Sequence, residues 1–306
     1  MAALAPLLLA AQTPAPVAVT RVNPMAVQDD DFARHRDSAT WRGLTVDRID
    51  FGEERATWRL FRIADRRRPH GPLWFVPHDD ENAGFDAAMV GLRRYGGTLI
   101  AVDSGVAGQP DGIRRNRSVG TGRGVDPNRN FHDGLPRYAA QVLSPLVKGA
   151  WPVIALHTNS RGYDPARSTC ARPGDPVHDS VISIHVCNRT FSPVASQSRR
   201  YPFDDDDTLA ILPWLARGDR REAFCGRELE AADFNVSYER VANTDGSLSN
   251  YAILRGLDYL NFETLDRGLE PGPLAQARDR LVAMIDGAMK ACGHKRPARP
   301  RAIRFR

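Results

Sequence analysis

Cysteine is scarce in this 306-residue chain: there are four, at positions 170, 187, 225 and 292, and none forms a C-x-x-C pair. That spacing excludes ribbon- and finger-type metal sites and leaves two readings, disulfides or separate buried thiols. For an exported chain Cys170–Cys187 with Cys225–Cys292 is the first pairing to try, although three connectivities are open. Long apolar runs are also missing, since nothing approaches the ~20 residues of a membrane span, which argues against integral membrane association. No internal repeat is present. Charge of one sign is lacking in the body of the chain. Of 42 basic residues against 37 acidic ones, six (Lys295, Arg296, Arg299, Arg301, Arg304 and Arg306) lie in the last twelve positions. The remainder is close to neutral and carries no basic stripe of the kind a nucleic-acid partner requires.

What is present is ordinary globular material, 42% hydrophobic and 26% charged, which excludes disordered, collagenous and coiled-coil chains. Residues 1–20 contain a short apolar stretch, Ala2 to Ala11, followed by small residues, and read as a signal peptide or a disordered N-terminus. An N-terminal extension over 21–44, a catalytic-sized domain over 45–294 and a solvated basic tail over 295–306 complete the expected organisation. Export to the periplasm or the medium is the expected localisation.

Thr57 to Ile63 alternate as a strand and Leu73 to Val76 form a short apolar strand stopped by Pro77. Phe85 to Tyr95 have helical periodicity ending at Gly96-Gly97, and Thr98 to Val102 form another strand, giving a β-α-β unit. The pattern continues with helices near 138–148, 208–216, 221–232 and 274–291 and strands at 152–156 and 259–262. Alternation of this kind predicts an α/β fold with helices on both faces of a sheet. The long connections 103–133 and 158–206 are the expected active-site or binding loops. The run Asp204 to Asp207 reads as a solvated loop.

Chemistry concentrates at strand ends. His78-Asp79-Asp80-Glu81 follows the strand 73–76, and an H-x-x-E spacing on one turn lets an imidazole and a carboxylate converge on one cation. His157 closes the run Val153 to Leu156, and parallel strands bring such residues to neighbouring carboxyl ends. Two His and one Glu leave a coordination position open, as in a catalytic zinc site. Glu263 ends the strand 259–262, where a carboxylate can serve as general base and then as proton donor. Between the ligands lie Arg114-Arg115-Asn116-Arg117 and Asp126-Pro127-Asn128-Arg129-Asn130-Phe131, which offer an Arg for an oxyanion and an Arg-amide pair for a carboxylate.

In their order these motifs make the chain resemble the zinc carboxypeptidases of the carboxypeptidase A-like superfamily, over roughly residues 45 to 290. The resemblance implies a mixed, roughly eight-stranded twisted sheet sandwiched between helices, with one zinc ion per chain held by His78, Glu81 and His157. It further implies Glu263 as the base acting on a zinc-bound water, Arg114 as the oxyanion arginine, and Asn128 and Arg129 as the grip on a peptide's terminal carboxylate. The expected reaction is therefore hydrolysis of the C-terminal peptide bond, with peptidoglycan stem peptides among the substrates of an exported enzyme. By position Leu248, in Asp245-Gly246-Ser247-Leu248-Ser249-Asn250, would line the specificity pocket, although the family's following Asp and Trp are missing. The family's mobile active-site tyrosine falls on Tyr238, the nearest upstream; Tyr238 and Tyr251 also fit a core role. Two rival functions stand beside this one. A zinc amidohydrolase of the aspartoacylase or succinylglutamate desuccinylase type shares the H-x-x-E, N-R-x-F, His and Glu motifs but cleaves N-acyl amino acids. A catalytically silent relative would bind peptide or cell-wall fragments.

Overall fold

The computed structural model describes residues 16–292, apart from 55, 119–122, 149–150, 176 and 178–179. Residues 1–15 of the expected signal peptide and the whole basic tail lie outside the described residues, while 18–20 belong to the first strand.

Ten strands form one sheet: β1 (Ala18–Arg21), β2 (Leu44–Glu53), β3 (Ala56–Asp65), β4 (Leu73–Val76), β5 (Thr98–Asp103), β6 (Val153–Asn159), β7 (Phe191–Val194), β8 (Leu209–Leu215), β9 (Val236–Val241) and β10 (Tyr259–Leu265). Their spatial order is β1-β2-β3-β5-β4-β6-β10-β8-β9-β7. The centre, β5-β4-β6-β10, is parallel, while β2–β3, β3–β5 and β10–β8 are antiparallel. Six α-helices accompany it: α1 (Asp30–Arg34), α2 (Asn82–Tyr95), α3 (Pro136–Leu143), α4 (Gly226–Ala231), α5 (Leu248–Leu254) and α6 (Pro271–Cys292). The mixed α/β sandwich matches the expectation, with ten strands among the described residues where roughly eight were expected.

Sheet parity divides the core in two, because alternate side chains of a strand leave opposite faces. Trp74, Val76, Ile154, Leu156, Leu260 and Phe262 face α2 and α6, where Phe85, Leu92, Leu281 and Met284 meet them. Leu73, Phe75, Val153, Ala155 and Tyr259 face α3 and α5, against Tyr138, Val142, Leu248 and Tyr251. Phe32 and Trp41, from the segment expected as an extension, stack with ring centroids 5.1 Å apart and join the first core. No side chain of the α3 N-terminus caps it; Glu53 of β2 accepts from Arg137 N at 2.7 Å and Tyr138 N at 2.9 Å, which satisfies two orphan donors.

The expected helix over 208–216 is the strand β8. A continuous apolar run has no periodicity to separate helix from buried strand, and pairing with β10 and β9 decides it. The helix expected over 221–232 is the shorter α4 after a 3-10 turn at Arg220–Glu222. The Asp204–Asp207 run is not a free solvated loop. Asp204 pairs with Arg280 at 2.5 Å, Asp205 with Arg267 at 2.9 Å, Asp206 with Arg199 and with His185 at 3.0 Å, and Asp207 accepts from Gly162 N at 3.0 Å. Both disulfides of the first-choice pairing are formed, Cys170–Cys187 and Cys225–Cys292. The first closes a loop within the long β6–β7 connection, and the second joins the start of α4 to the end of α6.

Candidate active site

Pro77 ends β4, and His78 opens a turn that Glu81 N closes by donating to His78 O at 3.1 Å. Glu81 is the N-cap of α2, so one turn carries both side chains to the same point, with His78 Nδ1 2.9 Å from Glu81 Oε1. β6 lies next to β4 and delivers His157, whose Nδ1 is 3.0 Å from Glu81 Oε2. All three side chains are buried, and one ligand atom from each lies within 4.8 Å of the others. Among the described residues the cluster holds two imidazole nitrogens and one carboxylate, which are the donor set of a catalytic zinc site. The residues present fit the ion that the motifs implied.

The electrostatics agree with such a site. Burial works against charge on His78, yet the Glu81 carboxylate and the hydrogen bonds to Asp126 and Glu81 outweigh it and push the imidazole up to about 9. Burial likewise opposes ionisation of Glu81, but His78 and His157 hold it well below the usual carboxylate range. Metal binding at these groups would compete with protons, so loading should weaken in acid.

β10 runs parallel to β6 with Glu263 opposite His157 in register. Both side chains therefore leave the α3–α5 face at the same level, and Glu263 is buried there. Asn261 Nδ2 donates to Glu263 Oε1 at 3.1 Å and Asn159 Nδ2 to Oε2 at 3.4 Å, so each carboxylate oxygen is oriented. Arg114 reaches the same centre from the loop after β5, its Nη1 2.5 Å from Glu81 Oε1 with its side chain half exposed.

Asp126 ties the loop to His78. Its Oδ1 is 2.9 Å from His78 Nε2 and also accepts from Asn128 N at 2.9 Å, capping the 3-10 turn Pro127–Arg129. Hydrogen bonding to His78 and its charge hold Asp126 below the usual carboxylate range despite burial. Asn128 Nδ2 lies 3.5 Å from His157 Nε2, and Asn128 Oδ1 accepts from Leu248 N at 3.4 Å. Arg129 stands at the rim, half exposed, 3.6 Å from Asp245. The close fit of the 128–132 segment on the 245–248 loop requires Gly246: at φ +83° a side chain is disfavoured, and a Cβ would lie 2.5 Å from Arg129 O.

Two expected site residues are elsewhere. Tyr238 of β9 shares a face with Leu212 and Phe262, the face opposite Glu263, and is buried with its hydroxyl donating to Glu230. Period-two parity is the reason, and Tyr238 does not line the site. Leu248 is fully buried in the α3–α5 core, so its backbone N–H touches Asn128 but its side chain lines no open pocket. Tyr251 is likewise a core residue, under Arg255. Asp126, Asn159 and Asn261 were missed as individual residues. The two asparagines had a legible signal, since each stands two positions from His157 or Glu263 on a strand and so shares its face.

No protein-family model matches the sequence, and no curated protein does. Solved structures do. A succinylglutamate desuccinylase of Chromobacterium violaceum aligns with 83% of this chain and 73% of its own at 12% identity and TM-score 0.41. A candidate metallopeptidase of Shewanella denitrificans aligns over 90% of this chain and 96% of its own at 14% identity and TM-score 0.41. A succinylglutamate desuccinylase/aspartoacylase of Rhodobacter sphaeroides aligns over 82% and 66%, respectively, at 14% identity and TM-score 0.39.

Proposed function

We propose that this chain is a zinc-dependent hydrolase of amide bonds that lie next to a free carboxylate, with N-acyl amino acids as its substrate class. The observation that carries the reading is the meeting of His78, Glu81 and His157 with Glu263 in register beside them. When bound, zinc supplies Lewis-acid polarisation of the scissile carbonyl and acidifies a water.

The chain's own residues supply the rest. Glu263 is an acceptor held from both sides by Asn159 and Asn261, placed to take the proton of the attacking water and return it to the leaving amine. Arg114 points a guanidinium at the ligand cluster, where an oxyanion would develop. Arg129, loosely paired and exposed, with Asn128 behind it, offers a fork for the substrate carboxylate, and Arg115 adds to a positive rim.

The residues brought together are those that peptidases and N-acyl amino acid hydrolases have in common. The tyrosine expected of a peptidase is on the wrong face of the sheet, which favours the acyl-amino-acid reading. Arg114 beside Glu81 favours the second reading, release of C-terminal residues from peptides, stem peptides included. The two disulfides support export to an oxidising compartment.

Zinc-loaded protein and His157→Ala are to be assayed on N-acyl amino acids and on C-terminally free peptides, with bound metal measured in each. Amino-acid release from the acylated substrates, lost with the zinc in His157→Ala, is the expected result. Release from peptides alone would move the chain to the second reading. One zinc per chain with no turnover of either class would overturn both and leave a binding protein.

A further inference from the structure

A second set of oxygen ligands surrounds the outer side of the same turn. Asp29 and Asp30 at the start of α1, Asp79 after β4, Asp103 at the end of β5 and Asp111 in the following loop come together from four separate stretches of chain. Ligand atoms of Asp30, Asp79 and Asp111 lie within 4.8 Å of one another, as do those of Asp29, Asp103 and Asp111, so Asp111 belongs to both triads.

The local cations do not balance these carboxylates. Arg34 is 3.0 Å from Asp30 but also pairs with Asp31 and Asp86, and Arg59 is 3.3 Å from Asp103 but also pairs with Asp50. Among the described residues no basic side chain forms an ion pair with Asp29, Asp79 or Asp111. Burial, and the neighbouring carboxylates after it, push Asp29 up to about 7.

Buried oxygens without donors belong to this cluster and to the asparagine bonded to it. Asn82, outside the acidic set and 4% exposed, donates from Nδ2 to Asp30 Oδ2 at 2.7 Å, while its Oδ1 has no hydrogen-bond partner. Asp79 is 2% exposed; its Oδ2 accepts from Ser104 N at 3.0 Å and Gly112 N at 2.8 Å, and its Oδ1 accepts nothing. Asp30 Oδ1 is also buried and unpartnered. Buried acceptors are ordinarily satisfied, and a cation among these side chains is a partner of the right charge.

We propose that Asp30, Asp79 and Asp111, supported by Asp29, Asp103 and Asn82, form a calcium site distinct from the His78–Glu81–His157 centre. The donors are all oxygen, which suits a hard cation and not zinc, and their number and spread suit the larger, more flexible shell of Ca2+ over the rigid octahedron of Mg2+. Asp79 sits between His78 and Glu81 in sequence, so a cation held there pins the turn that carries two ligands of the first centre.

The test uses zinc-loaded protein freed of other divalent ions, titrated with CaCl2 and separately with MgCl2 by calorimetry, with melting and zinc content followed in parallel. The expected result is one Ca2+ per chain at a Kd of ~1–100 μM, weaker Mg2+ binding, a higher Tm and unchanged zinc. Asp111 is exposed, so Asp111→Asn is expected to fold, and it should weaken Ca2+ by at least about tenfold, as should Asp30→Asn. Absence of binding and of any Tm shift up to ~10 mM Ca2+ would overturn the proposal. So would binding that displaces zinc, or binding that neither variant weakens.

Discussion

One oxygen of Asp126 serves two groups at once, standing 2.9 Å from His78 Nε2 and accepting from Asn128 N at 2.9 Å. The orientation of His78, a candidate metal ligand, and the position of the segment that carries Arg129 are thereby coupled through a single side chain. Asp126→Ala should weaken zinc ~10–100-fold, as loss of a carboxylate behind a ligating imidazole does. Chelator competition measures that directly. Unaltered zinc affinity would show that the contact does not orient His78.

Glu263 should be separable from the metal. Glu263→Gln keeps the side chain's shape and is expected to retain one zinc per chain while kcat falls ~10²–10⁴-fold, the range of a lost general base. Asn261→Ala, which frees one oxygen of that carboxylate, should lower kcat less and leave KM nearly unchanged. Steady-state kinetics on zinc-quantified samples distinguishes the two variants from loss of metal.

Arg129 and Arg114 should divide between binding and rate. Arg129→Ala is expected to raise KM for substrates with a free carboxylate and to change little for their amidated forms, since the rim guanidinium is half exposed and its carboxylate partner Asp245 is 3.6 Å away. Arg114→Ala, beside Glu81, should instead lower kcat, by ~10–10³-fold if it faces the developing oxyanion. Equal KM effects on acid and amide substrates would remove Arg129 from the carboxylate site.

Stability carries its own pH signature through Glu239 of β9, which is buried and pushed up to about 7 by burial, the Ser249 hydroxyl at 2.6 Å acting against it. The unfolded chain loses this proton near ~4.3. Between these values the folded chain holds more protons than the unfolded one, so the group's contribution is complete below the lower value and is lost as pH rises through the upper. Glu239→Gln mimics the protonated form. It should melt like wild type near about pH 4.5 and a few degrees higher than wild type at about pH 8. A Tm difference that does not vary with pH would contradict this.

Much of the candidate site was legible in the sequence because it is local. The H-x-x-E turn places two ligands three residues apart, Pro77 ends the strand before them, and Asn128-Arg129 follow their own Asp cap. Short apolar runs located β6 and β10, but pairing carries the two strands on to Asn159 and Leu265, two residues beyond His157 and Glu263, so neither residue ends its strand. The run 208–216 was not legible, because an apolar stretch buried on both sides has no period, and strand pairing supplied the answer.

Sequence alone thus determined which side chains could serve as ligands, base and anion grip, since these depend on residue type and on spacing within one turn or one strand end. Tertiary structure decided what depends on register and parity. It set Glu263 opposite His157, turned Tyr238 to the other face, sealed Leu248 in the core, and gathered aspartates from positions 29 to 111 around one point. Those outcomes rest on strand order and on which face each residue leaves, and a strand shifted by one residue would reverse them while leaving every motif intact.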